Sequence, residues 1–110
     1  VVTLNVIYHG DPEIVRAAVG EIARVLRPGG GLVVTMLTKR NRHCGVGRMV
    51  AEDTWVDDAA SDDKVHPHVY CDLEGFAGLF RGFDCLTLRE DSFGRPGRSH
   101  FVATLQRAGR

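Results

Sequence analysis

Residues 1–38 read VVTLNVIYHGDPEIVRAAVGEIARVLRPGGGLVVTMLT. The first seven, Val1–Ile7, are β-branched and almost continuously apolar, the pattern of a strand covered on both faces. Tyr8, His9 and Gly10 leave that strand as a loop. Asp11-Pro12-Glu13 then starts a helix. Asp11 can accept from the unpaired N–H groups of the first turn, Pro12 suits a position that needs no donor, and Glu13 complements the positive helix end. Val15, Ala18, Val19, Ile22, Val25 and Leu26 recur at helical spacing, with Glu13, Arg16, Gly20, Arg24 and Arg27 mostly opposite. Burying each larger apolar side chain is worth ~1.5–3 kcal/mol, so this stripe requires a sheet to lie on. Arg27-Pro28-Gly29-Gly30 ends the helix, because proline cannot continue it and glycine can turn the chain. Gly31–Thr38 is a second apolar strand. The spacing predicts a βαβ unit with parallel strands and a right-handed crossover.

Downstream the pattern loosens. Thr38 to about Asp63 has no regular period, and Asp57–Asp63 is acidic and polar, which reads as an exposed loop. A long excursion of this kind in a compact domain is often a lid or binding element. Asp72 is an N-cap for a short helix with Phe76, Leu79 and Phe80 on its apolar face, closed by Arg81-Gly82. Phe83–Glu90 and Ser99–Gln106 read as strands joined through Gly94-Arg95-Pro96-Gly97 into an antiparallel hairpin.

The whole chain has 110 residues, 44% hydrophobic and 25% charged, with 14 basic and 14 acidic residues. Equal charge leaves no field to draw it onto nucleic acid or an anionic membrane, so neither is expected as a partner. The local cluster Lys39, Arg40, Arg42 and Arg48 reads as a solvated loop. No apolar run approaches the ~20 residues of a membrane span. Cys44, Cys71 and Cys85 are odd in number and widely spaced, which suits reduced thiols and a cytoplasmic setting. The chain opens on Val1, already strand-like, and an upstream portion is expected.

Asn5-Val6-Ile7-Tyr8-His9, the helix end Glu21-Ile22-Ala23-Arg24-Val25-Leu26-Arg27-Pro28-Gly29-Gly30, and Gly31-Leu32-Val33-Val34 together resemble the middle of class I (Rossmann-like) S-adenosylmethionine-dependent methyltransferases. In that family a strand ends in an N-V-L-x-H-like turn. The next helix ends in E-x-x-R-V-L-K-P-G-G, with Arg27 here in place of the common lysine. His66-Pro67-His68-Val69-Tyr70 is similar to a P-H-H-F/Y-F stretch of a bacterial subgroup. The resemblance covers roughly the whole chain and is strongest over residues 1–38. It implies an α/β fold with a partial Rossmann-like methyltransferase sheet: a parallel βαβ unit, a helix and a terminal antiparallel β-hairpin. On this reading residues 1–110 are the C-terminal part of one methyltransferase domain. The family's glycine-rich loop and its acidic residue after the second strand are absent from these residues. The run Pro28–Gly31 follows a helix, where it is a turn rather than a cofactor cradle.

In open α/β sheets ligands bind outside the carboxyl ends of the strands, which selects Leu4–His9 and Leu37–Arg40. The resemblance implies S-adenosylmethionine as cofactor, with Leu4, Asn5 and Val6 bordering its amino-acid end. It places Tyr8 and His9 near the transferred methyl group or a small-molecule acceptor. Lys39, His66, His68 and Tyr70 are further acceptor-side candidates, and Trp55 lies beside the same long loop. The reaction is an in-line displacement on a sulfonium, so orientation and desolvation are the protein's main work. His9 either accepts a proton from the acceptor or only shapes the pocket wall.

Two other readings compete. His43, Cys44, His66, His68 and Cys71 are metal-ligand types, but there is no C-x-x-C, and no metal is expected. Alternatively the piece is a non-catalytic scaffold or partner-binding module. In either case residues 1–110 alone are expected to show no methyl transfer. A dehydrogenase is disfavoured by the terminal hairpin after the Pro-Gly-Gly turn.

Overall fold

The computed structural model of the protein describes residues 1–3 and 7–109. The chain runs through β1 (Val2–Thr3), α1 (Pro12–Val25), β2 (Gly31–Thr38), β3 (Arg48–Ala51) and β4 (Thr54–Val56). A 3₁₀ turn (Asp63–Val65), β5 (His68–Cys71), α2 (Leu73–Leu79), β6 (Phe83–Asp91) and β7 (His100–Arg107) follow. The strands form one sheet in the order β3-β4-β5-β2-β7-β6, with β1 also on β2.

β2 organises the sheet. Along one edge it pairs antiparallel with β7, from Gly31↔Gln106 to Leu37↔His100. Its other edge is shared: β1 lies parallel beside Val33 and Val34, and β5 lies parallel beside Leu37 and Thr38. β7 therefore sits between β2 and its hairpin partner β6. The parallel βαβ unit and the antiparallel hairpin expected from the sequence are both present. Tyr8 and His9 lie against β5. The Tyr8 carbonyl accepts from Val69 N–H at 2.9 Å, and His9 bridges His68.

Both helices start as their sequences dictate. Asp11 Oδ1 accepts from Ile14 N–H at 2.9 Å, and Asp72 Oδ1 accepts from Gly75 N–H at 2.7 Å. Val15 and Val19 enter one core with Leu32, Val34, Met36 and Leu105. Phe76 and Phe80 close the other end, their rings 4.8 Å apart, with Phe76 edge-on to Phe101 at 5.6 Å.

Three expectations need correction. Val25 lies outside the apolar face of α1 and is exposed, whereas Ile22 and Leu26 on either side of it pack against the core. Among the described residues β1 is only two residues long, Val1 and Val2 are exposed, and the both-faces-covered reading fails there. The irregular stretch after Thr38 holds the β3–β4 hairpin. Its β3 buries none of Arg48, Met49 and Val50, so it lacks the alternation that marks a half-buried strand.

Candidate active site

The carboxyl end of β2 and the start of β7 lie at the same rim, since Leu37 pairs with His100. The segment after β2 is bound to the β6–β7 connection there. Thr38 N–H donates to the Ser99 carbonyl at 3.2 Å, Arg42 N–H to the Gly97 carbonyl at 2.7 Å, and Asn41 Nδ2 to the Ser99 carbonyl at 3.3 Å. Asn41 is buried, and its Oδ1 accepts from His43 N–H. These bonds build one wall of a cavity of about 450 Å³. Tyr8, Leu37, Asn41 and His100 line it from the strand ends. Asp63 and Lys64 enter from the 3₁₀ turn, and Ser92, Phe93, Arg95 and Arg98 from the β6–β7 connection. This is the crevice that the carboxyl-end rule selects in an open sheet.

Tyr8 is nearly buried, and its ring lies 5.9 Å from that of His100 and 6.0 Å from that of His68. Burial, reinforced by the Asp63 charge, raises its hydroxyl pKa to about 12, so it serves as a neutral donor or acceptor. His100 Nδ1 is 2.7 Å from the Arg98 carbonyl. A carbonyl only accepts, so Nδ1 carries a hydrogen. Burial pushes the His100 pKa down, which favours the neutral ring.

His9 is half-exposed beside the cavity, its Nε2 3.4 Å from Asp63 Oδ2. His68 is buried next to it, with ring centroids 4.5 Å apart. The structure thus brings Tyr8, His9 and His68 together at one rim. It puts the other acceptor-side candidates elsewhere. Lys39 is tied between Asp53 at 3.1 Å and Asp72 at 3.6 Å, in a separate depression with Thr38, Arg40 and Leu73. Tyr70 is buried in the core, where desolvation raises its hydroxyl pKa, and Trp55 packs against the same core. His66 is exposed and contributes its carbonyl to His68 Nδ1 at 2.8 Å. The cofactor-side residues Leu4, Asn5 and Val6 lie outside the described residues.

The sequence reading missed Asp63, Asn41, Arg98 and His100. Asp63 was one more acid in a polar loop, and His100 was one more residue of a strand. Neither carries a local motif, and both become site residues only when β7 and the 3₁₀ turn meet the end of β2.

No protein-family model matches the chain, and no curated protein matches it. Solved structures do. A methyltransferase from Methanosarcina mazei, described as SAM-dependent, superposes with a TM-score of 0.73 at 18% identity, over 99% of this chain and 58% of that one. The 1,6-didemethyltoxoflavin-N1-methyltransferase of Burkholderia thailandensis, solved with 1,6-didemethyltoxoflavin and S-adenosylhomocysteine, gives 0.68 at 16% identity, over 97% and 43%. A structure described by conversion of a disulfide bond into a thioacetal group during echinomycin biosynthesis gives 0.59 at 14% identity, over 99% and 48%. The chain spans about half the length of these structures. It has the fold of the class I S-adenosylmethionine-dependent methyltransferases.

Proposed function

We propose that this chain forms part of an S-adenosylmethionine-dependent methyltransferase that acts on a small molecule. The reading is supported by the sheet, in which β7 runs antiparallel between β2 and β6, together with a crevice at the carboxyl end of β2. The matched Burkholderia enzyme holds S-adenosylhomocysteine, the product that methyl transfer leaves behind. In this reading the chain is the C-terminal part of the domain. The cofactor-side role that the resemblance implies for Leu4–Val6 falls outside the described residues, and the acceptor occupies the cavity between Tyr8 and the β6–β7 connection.

Lys64, Arg95 and Arg98 face a single carboxylate, Asp63, in the cavity lining. Arg98 Nε is buried and has no hydrogen-bond partner in the protein. That wall favours an acceptor bearing an anionic or carbonyl oxygen, which would pair Arg98. Methyl transfer from a sulfonium needs little covalent help, so Tyr8, Asn41 and Arg98 orient the acceptor while the rim excludes water. A proton leaving the acceptor has the His9–Asp63 pair as its destination.

The test uses the longest polypeptide of the gene that contains residues 1–110. Calorimetry should show S-adenosylhomocysteine binding, and tritium should pass from labelled S-adenosylmethionine to an oxygen-rich small molecule. Arg98→Ala should raise KM for that acceptor by roughly tenfold or more. Absence of S-adenosylhomocysteine binding would falsify the reading.

A further inference from the structure

His9 meets Asp63 and His68, more than fifty positions further along the chain, beside the cavity. Asp63 Oδ2 lies 3.4 Å from His9 Nε2 and 3.6 Å from His68 Nε2, and all three atoms lie within 4.8 Å of one another. The imidazoles meet edge-on, 79° apart in plane. Asp63 turns its other oxygen, Oδ1, to Lys64 Nζ at 3.3 Å, which leaves Oδ2 directed at the rings.

The state of His68 follows from its second nitrogen. Nδ1 is 2.8 Å from the His66 carbonyl, so Nδ1 carries the hydrogen, and in the neutral ring Nε2 keeps its lone pair. That Nε2 is buried and has no hydrogen-bond partner, on a residue only 1% exposed. It faces a carboxylate oxygen. A buried lone pair facing an exposed carboxylate oxygen, with the half-exposed His9 ring beside them, is the arrangement of a cation site at the surface end of a buried ligand.

We propose that His9 Nε2, His68 Nε2 and Asp63 Oδ2 hold a divalent first-row transition cation, zinc being the best fit. Zinc bonds of about 2.0–2.2 Å in a tetrahedron set ligand atoms about 3.4 Å apart. The two separations to Asp63 already have that value, within 0.2 Å. The third edge closes by swinging the half-exposed His9 ring. Two imidazoles and one carboxylate also select against magnesium and calcium, which take oxygen ligands. The His66 carbonyl does what outer groups do in such sites: it fixes the tautomer of a ligating histidine. Three protein ligands leave a fourth position for water or a substrate atom. Of the three ligands Asp63 lines the cavity, so the ion sits beside it. Loading Nε2 of His9 removes it from proton transfer, and the ion then lowers the pKa of a bound acceptor oxygen instead. The site stands on these three side chains alone and does not rest on methyl transfer.

The experiment is titration of the chelator-treated, full-length protein with zinc chloride by calorimetry, with cobalt(II) absorption as the second readout. One equivalent of zinc should bind, and cobalt should show the intense visible bands of a tetrahedral site. Asp63→Asn and His9→Gln should each weaken zinc by roughly tenfold or more, while His43→Gln and His66→Gln leave it unchanged. Circular dichroism confirms that each variant keeps the parent fold. Failure to bind one equivalent overturns the proposal. So does undiminished affinity in folded Asp63→Asn and His9→Gln, or an equal loss in His66→Gln, which marks adventitious binding by surface histidines.

Discussion

The Thr38 hydroxyl donates to Ser99 Oγ at 2.7 Å, joining the last residue of β2 to the residue before β7 across 61 positions of sequence. The same Oγ1 accepts from Arg40 N–H at 3.1 Å. One buried hydroxyl therefore fixes both the end of the strand and the first turn of the loop behind the cavity. Thr38→Val keeps the shape and removes both bonds. The expected loss is about 1–2 kcal/mol, read as a lower urea midpoint at unchanged slope. Thr38→Ser should keep most of it. Equal midpoints for Thr38→Val and the parent would show that the rim does not depend on this bond.

Leu32 is fully buried at the start of β2, whereas Leu86 on β6 is 57% exposed. Leu32→Ala removes core volume that α1 and β7 cannot refill and should cost about 2–5 kcal/mol. Leu86→Ala should stay within about 0.5 kcal/mol. Denaturation of the two variants side by side checks the contrast. A larger loss at Leu86 would mean that a partner covers the β6 face.

Gly47 adopts φ +91°, just before β3, and a Cβ there would collide with the Val56 carbonyl on β4. Gly47→Ala combines a left-handed backbone with a clash against main chain, so more than about 1 kcal/mol is expected. The damage should be local. Amide exchange should speed up in β3 and β4 and remain slow in β2 and β7.

Cys71 is buried on β5, its thiol pushed up to about 12 by desolvation, while Cys85 is exposed on β6. Only the thiolate reacts. Near neutral pH a thiol reagent should label Cys85 first and Cys71 only after unfolding, and Cys85→Ser should remove the fastest phase. Raising the pH below that of unfolding should leave Cys71 protected, because its raised pKa keeps the thiol neutral. Fast labelling of Cys71 in the native protein would contradict the packing of β5 against β2.

Local chemistry made much of the architecture readable. The caps at Asp11 and Asp72, the stop at Pro28-Gly29 and the run Gly31–Thr38 each act within a few residues, and each appears where its own chemistry puts it. The β3–β4 hairpin did not announce itself, because β3 leaves Arg48, Met49 and Val50 exposed, β4 is only three residues long, and the tight turn places Asp53 at φ +53°. Tyr8, His9 and His68 were named as candidates from their resemblance to known stretches, and the structure brings their rings together at one rim. Lys39 was legible as a charge but not as a partner of Asp53 and Asp72.

Periodicity, caps and turn residues were enough to specify a parallel βαβ unit and a closing hairpin, since those signals are properties of neighbours along the chain. The cavity and the His9–Asp63–His68 corner have another origin. They exist because β5 and β7 take opposite edges of β2, bringing positions 9, 63, 68 and 100 to one rim. That choice of partners depends on burying apolar faces across long separations, which no short window of sequence records.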